Sequence, residues 1–193
     1  MMDDAGVQQR EFAAICLFGY AQIAFFLFLS LCVFMLPQGL RANHGFSFYG
    51  EQPQTRLFYQ LAFVTSGLFV LFSALTMPAV ATFRAVRIVF LFMLPLFLGV
   101  VLTTSSHSPA ISLLHVRIGT VLFVLQGLLA LWLALIVHRD WRNLALVAIL
   151  LLGAAITLAS LYVIIPYLIH GQVLYLLTFG VIVVYSLTRL RAR

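Results

Sequence analysis

The sequence predicts an all-α integral membrane bundle of six transmembrane helices with both termini on the cytoplasmic side. Three observations predict it. Hydrophobic residues make up 64% of the 193 and charged residues 8%, where a soluble domain carries roughly 25% charged residues. Six apolar runs, at 13–36, 57–77, 86–103, 114–137, 144–165 and 173–187, are of bilayer-crossing size, since a helix needs about 20 apolar residues to cross roughly 30 Å of hydrocarbon. The arginines that punctuate those runs fall mostly on one side. Apolarity is continuous within each run rather than alternating, which excludes the strands of a β-barrel. At this length the chain is one domain, 1–193.

The first run follows Asp3, Asp4, Arg10 and Glu11. A signal peptide starts basic and ends at a small-residue cleavage site. This run is long and ends at Leu36-Pro37 without one, so it is expected to be a retained helix. Residues 41–56 then form the longest loop. Pro78, Arg84 and Arg87 separate the second and third helices, and 103–109 the third and fourth. Residues 138–143 separate the fourth and fifth, and 166–172 the fifth and sixth. With the N-terminus inside, Arg10, Arg84, Arg87, Arg139, Arg142, Arg189, Arg191 and Arg193 are cytoplasmic, and only Arg41, Arg56 and Arg117 are outside. That is the positive-inside pattern, and a bacterial inner membrane is the expected location. Trp141 beside the inner arginines suits an interfacial anchor. A three-plus-three division would permit an inverted repeat, but the halves share no motif.

Within the spans, Gly153 and Thr157, and likewise Ala155 and Ala159, stand four apart and invite close helix contact. Ser66, Gly67 and Ser73 in the second helix suggest the same. Cys16 and Cys32 are 16 residues apart on one helix, roughly 24 Å, too far to bridge. The many phenylalanines of the first three helices read as packing or lipid contact. Gln22 and Gln126 sit near mid-helix; an amide facing lipid is costly, so both are expected inside the bundle. His115, Gly119, Leu122 and Gln126 recur on one helical face and trace a stripe from the outer mouth toward the centre.

The ionisable residues outside are the candidate site. They comprise His44, Glu51 and Arg56 in the first outer loop, His107 in the second, His115 and Arg117 at the start of the fourth helix, and His170 in the third loop. Four of five histidines thus lie on one side. Glu51, the sole acid there, is expected to pair with Arg117 or Arg56. The set suits a polar cap over the helix ends, or an outward pocket for a lipid headgroup or a small polar or anionic ligand. His107, His115 and His170, with Glu51, also supply donor types that zinc accepts, although no HExxH motif is present. Haem would need histidines facing one another inside the bundle. No nucleophile elbow, P-loop or dinucleotide fingerprint occurs. The positive charge is not gathered on one soluble face, which excludes nucleic acid as a partner.

Residues 45–50, Gly45-Phe46-Ser47-Phe48-Tyr49-Gly50, and His115 opening the fourth helix give the chain a likeness. It resembles the uncharacterised six-helix membrane proteins of bacteria and, more distantly, the DRAM-like group, some of which are linked to lipid metabolism and membrane regulation. The resemblance implies a six-helix bundle whose first outer loop folds over the mouth; it transfers no catalytic residue. The leading expectation is an accessory or regulatory protein that binds membrane lipid or a small ligand at the outer rim, alone, as a homo-oligomer or with a membrane partner. The alternatives are a membrane-embedded, metal-dependent enzyme acting on lipid at the outer leaflet, and a small transporter. No acidic residue lies within a span, which counts against proton coupling.

Overall fold

The computed structural model describes residues 4–41, 45–78, 81–104, 108–162 and 165–191. Among these residues seven α-helices follow one another: α1 Asp4–Met35, α2 Ser47–Glu51, α3 Arg56–Thr76, α4 Ala81–Thr103, α5 Pro109–Trp132, α6 Trp141–Leu161 and α7 Leu168–Arg191. All but the five-residue α2 are long and apolar enough to cross a membrane, and the described residues contain no strand. The chain is an integral membrane bundle. Its surface is turned inside out relative to a soluble fold: Phe34 is 86% and Leu102 77% exposed, where lipid is the solvent.

The helices run past their apolar stretches. α7 starts at Leu168 and includes His170 and Gln172, because a helix continues into the interfacial region where hydropathy no longer marks it. α5 likewise starts at Pro109, a residue pre-set for a first turn. It ends in one π turn, Leu133–Val137, in which the His138 N–H donates to the Leu133 carbonyl at 2.9 Å. Arg191 lies 4.8 Å over the Phe12 ring, so both chain ends share one face, here the terminal face. The opposite face, carrying α2, is the distal face.

α1 and α3 pack together most extensively. Ser66 donates to the Ala21 carbonyl at 2.9 Å and Ser73 to the Ala14 carbonyl at 2.7 Å. The seven-residue step on both helices is the repeat that keeps one seam facing its partner. Phe18 stacks on Phe90 of α4 at 4.9 Å and meets Phe179 of α7 edge-on at 5.9 Å, joining three helices through one ring.

α6 and α7 approach through glycine. A Cβ on Gly153 would stand 2.7 Å from the Tyr175 backbone nitrogen, and one on Gly171 would stand 2.6 Å from that of Thr157. The expected Gly153–Thr157 pair is therefore at the contact, whereas Ala155 faces outward. α5 touches α6, its neighbour in sequence, only sparsely and packs mainly on α4.

Candidate functional site

Between α1, α3, α4, α5 and α7 lies a cavity of about 120 Å³. From α5 it takes His115, Gly119, Leu122 and Gln126, the stripe expected from their spacing. Eleven residues separate His115 from Gln126, roughly 16 Å of helix, so the cavity runs from the distal end to mid-bundle. Gln22 of α1 and Ser66 of α3 also line it near mid-bundle. Phe25, Phe63 and Phe97 supply aromatic wall; Phe25 meets Phe63 edge-on at 5.2 Å and Phe46 at 5.8 Å.

The segment that opens at Gly45 closes the distal end. The Phe46 N–H donates to Gln172 Oε1 of α7 at 3.0 Å, and Ser47 Oγ lies 2.7 Å from His115 Nε2 of α5. Two polar ties thus span the mouth. Gly45 turns at φ +60, where a side chain is strained, and a Cβ there would stand 2.6 Å from Gln172 Oε1. At Gly50 the reason is room: a Cβ would meet Thr104 and the Tyr59 ring. Thr55 Oγ1 donates to the Tyr49 carbonyl at 2.7 Å and secures the end of α2. Tyr49 is fully buried over Gly39, and its hydroxyl has no partner among the described residues. Burial pushes that hydroxyl up to about 12, so it stays neutral.

The tautomer of His115 follows from its neighbours. Thr103 Oγ1 donates to the Gly99 carbonyl at 2.6 Å, and Thr104 Oγ1 to the Val100 carbonyl at 2.5 Å. Their hydrogens committed, both hydroxyls can only accept from His115 Nδ1, which lies 3.0 Å and 3.4 Å away. Nδ1 therefore carries the proton. Nε2 keeps a lone pair, and Ser47 donates to it.

Gln126 is different. It is 4% exposed, and no hydrogen bond to its amide is formed among the described residues. Gln22 packs against Gly180, where a Cβ would stand 2.8 Å from its Oε1, and it too lacks a partner among the described residues. Gln126 is buried as a residue and Gln22 is half-buried, yet neither amide is sealed off, since both line the cavity; both are placed to meet something inside it.

Of the outer set named from sequence, only His115 lines the cavity. Glu51, Arg56, Arg117 and His170 are exposed, and His44 and His107 lie outside the described residues. Glu51 forms no ion pair with either arginine: among the described residues the ion pair is His138–Asp140, at 3.5 Å. Arg56 instead donates to the carbonyls of Gly50 and Glu51, at 3.3 Å and 3.5 Å, at the end of α2. Arg117 stands two residues from His115, about 200° around the helix, and so leaves the face that His115 occupies. His170 meets the Tyr167 ring edge-on at 5.5 Å. Among the described residues no three His, Cys, Asp or Glu side chains gather as metal ligands; the zinc set includes His107, which is not among them.

Sequence reasoning missed Ser47, Tyr59, Thr103 and Thr104 as parts of the site. Each is a polar residue at a helix end, where a solvated side chain and a buried one look alike in sequence. Gln172 stands in the segment 166–172, which the sequence marks only as a break between two helices.

The fold and site together define a class: a multi-pass helical membrane protein with a capped cavity inside the bundle that, among the described residues, no Asp, Glu or Arg lines. The chain matches no protein-family model, no curated protein and no solved structure.

Proposed function

We propose that this chain is a binding protein for a small neutral amphiphile, largely apolar with one hydroxyl or carbonyl group, held inside the membrane in an accessory or regulatory role. One observation carries the proposal: Gln126 is buried, faces the cavity and has no partner among the described residues. An amide in that position offers both a donor and an acceptor to a ligand's polar group. The wall is otherwise mostly aliphatic and aromatic, as small-molecule sites are. Among the described residues no Asp, Glu or Arg lines it. An anionic headgroup would be desolvated there without a counter-charge, so the ligand is neutral. The arginine distribution supports an orientation with both termini cytoplasmic, so that in a bacterial inner membrane the capped mouth faces outward.

The test is photolabelling in nanodiscs with a long-chain alcohol that carries a diazirine. Label is expected on the α1, α3 and α5 peptides that line the cavity, and Gln126→Leu should lower its yield about fivefold, the loss of one hydrogen bond. The corresponding long-chain carboxylate should leave the cavity unlabelled. Alcohol label spread evenly over lipid-facing residues and indifferent to Gln126→Leu would show that the space holds only water.

A further inference from the structure

We propose that Ser47 and His115 are a nucleophile and its general base, and that the cavity cleaves the ester bond of a neutral single-chain lipid; this rests on the cavity being a binding site for such molecules. Four features converge. Ser47 Oγ is 2.7 Å from His115 Nε2, within the reach that proton transfer requires. Thr103 and Thr104 hold the proton on Nδ1, so the nitrogen facing Ser47 is the basic one. In a Ser–His–Asp triad the acid performs that orienting task; here two hydroxyls, themselves tied to α4 carbonyls, perform it. Third, Gln172 accepts from the Phe46 N–H through Oε1, which leaves its amide nitrogen as a free donor beside the turn that carries Ser47. A preorganised amide N–H is the kind of group that stabilises an oxyanion. Gly45 admits that amide, because any side chain there would collide with it. Finally, both Ser47 and His115 line the cavity, so a bound acyl group has access to them.

The chemistry balances. The Ser47 hydroxyl proton passes to His115 Nε2 as the Oγ–C bond forms at the ester carbonyl. Charge gathers on the carbonyl oxygen, where the Gln172 amide donates. The C–O bond to the alcohol breaks, and His115 returns the proton to the departing oxygen. Water from the distal side then attacks the acyl-Ser47 ester with His115 as base, releasing a carboxylic acid and restoring Ser47. The acid ionises outside, and a carboxylate finds no counter-charge among the described cavity residues, which favours its release. Thr103 acts through His115 and is a positioning residue.

The experiment uses the full chain in nanodiscs, with a long-chain alkyl fluorophosphonate and a p-nitrophenyl fatty ester as probes. Covalent phosphonylation is expected at Ser47 and should be absent in Ser47→Ala. His115→Gln should slow both labelling and ester turnover by about 10²-fold or more, the scale of general-base catalysis. Thr103→Val should lower kcat with KM little changed, and Thr103→Ser should restore it; a merely structural threonine would not give that split. Diazirine-alcohol labelling of the cavity in Ser47→Ala shows that the variant is folded and still binds. If that labelling persists while Ser47 resists fluorophosphonate in the native chain, or if ester turnover survives Ser47→Ala, the pair is only a latch for α2 and the catalytic proposal fails while the binding site stands. If the native chain takes up no diazirine alcohol either, both fail.

Discussion

Two polar regions of this apolar molecule are built on opposite terms. At the terminal face, Asp140 caps α6 by accepting the Asn143 N–H at 2.7 Å and takes the Tyr185 hydroxyl on its other oxygen at 2.6 Å. Asn143, fully buried, donates to the His138 carbonyl at 2.6 Å and to Ser186 Oγ at 3.2 Å. Among the described residues the buried side-chain oxygen left without a partner at this face is Asn143 Oδ1. In the cavity, by contrast, Gln22 and Gln126 make no hydrogen bond with any described residue, and space adjoins them. Polar groups that bond one another hold helices in place; polar groups left open beside a void are suited to something that comes and goes.

That contrast breaks most readily through stability. Asn143→Ala should destabilise the bundle by about 2 kcal/mol, since it removes the two hydrogen bonds that the Asn143 amide donates. Gln126→Leu should leave stability unchanged or raise it, because it deletes an amide that bonds nothing in the folded chain. SDS unfolding in bicelles measures both. Equal losses would mean that Gln126 is structural after all.

Acid offers a smaller effect. The Tyr185 hydroxyl, then the Asn143 N–H, hold the Asp140 carboxyl below its ordinary value of 3.8, with His138 and Arg142 adding to them. A depressed carboxyl contributes stability in full above its unfolded value and loses it as pH falls through the folded one. The native chain should therefore lose stability below about pH 4 relative to Asp140→Asn and show no such trend between pH 5 and 7. A difference between the two that does not change with pH would remove Asp140 from the ion-pair cluster.

The smallest effect belongs to α2, which closes the distal end. Tyr49→Phe removes a buried hydroxyl with no partner among the described residues and should change the unfolding free energy by no more than about 0.5 kcal/mol, in either direction. A loss well beyond that, in the same titration, would reveal a bond that the folded chain makes through this hydroxyl.

The α5 stripe was legible because its residues recur every three or four positions on a helix whose type was not in doubt. Arg117 shows where proximity in sequence misleads. It follows His115 by two, and grouping them as one rim ignores the turn of the helix between them. Residues 45–50 were conspicuous in the sequence, yet nothing local said that Ser47 would meet a histidine 68 positions on. Thr103 and Thr104 looked like ordinary residues at the end of a span.

Composition and run length by themselves settled the solvent and the architecture, because long apolar segments can satisfy their backbone in lipid only as helices. The cavity, the tautomer of His115 and the exclusion of the arginines belong to tertiary structure. Each depends on which faces of α1, α3, α4, α5 and α7 turn toward one another, and that choice is made by close fits such as Phe18 on Phe90 and Gly153 on Tyr175, made between residues far apart along the chain.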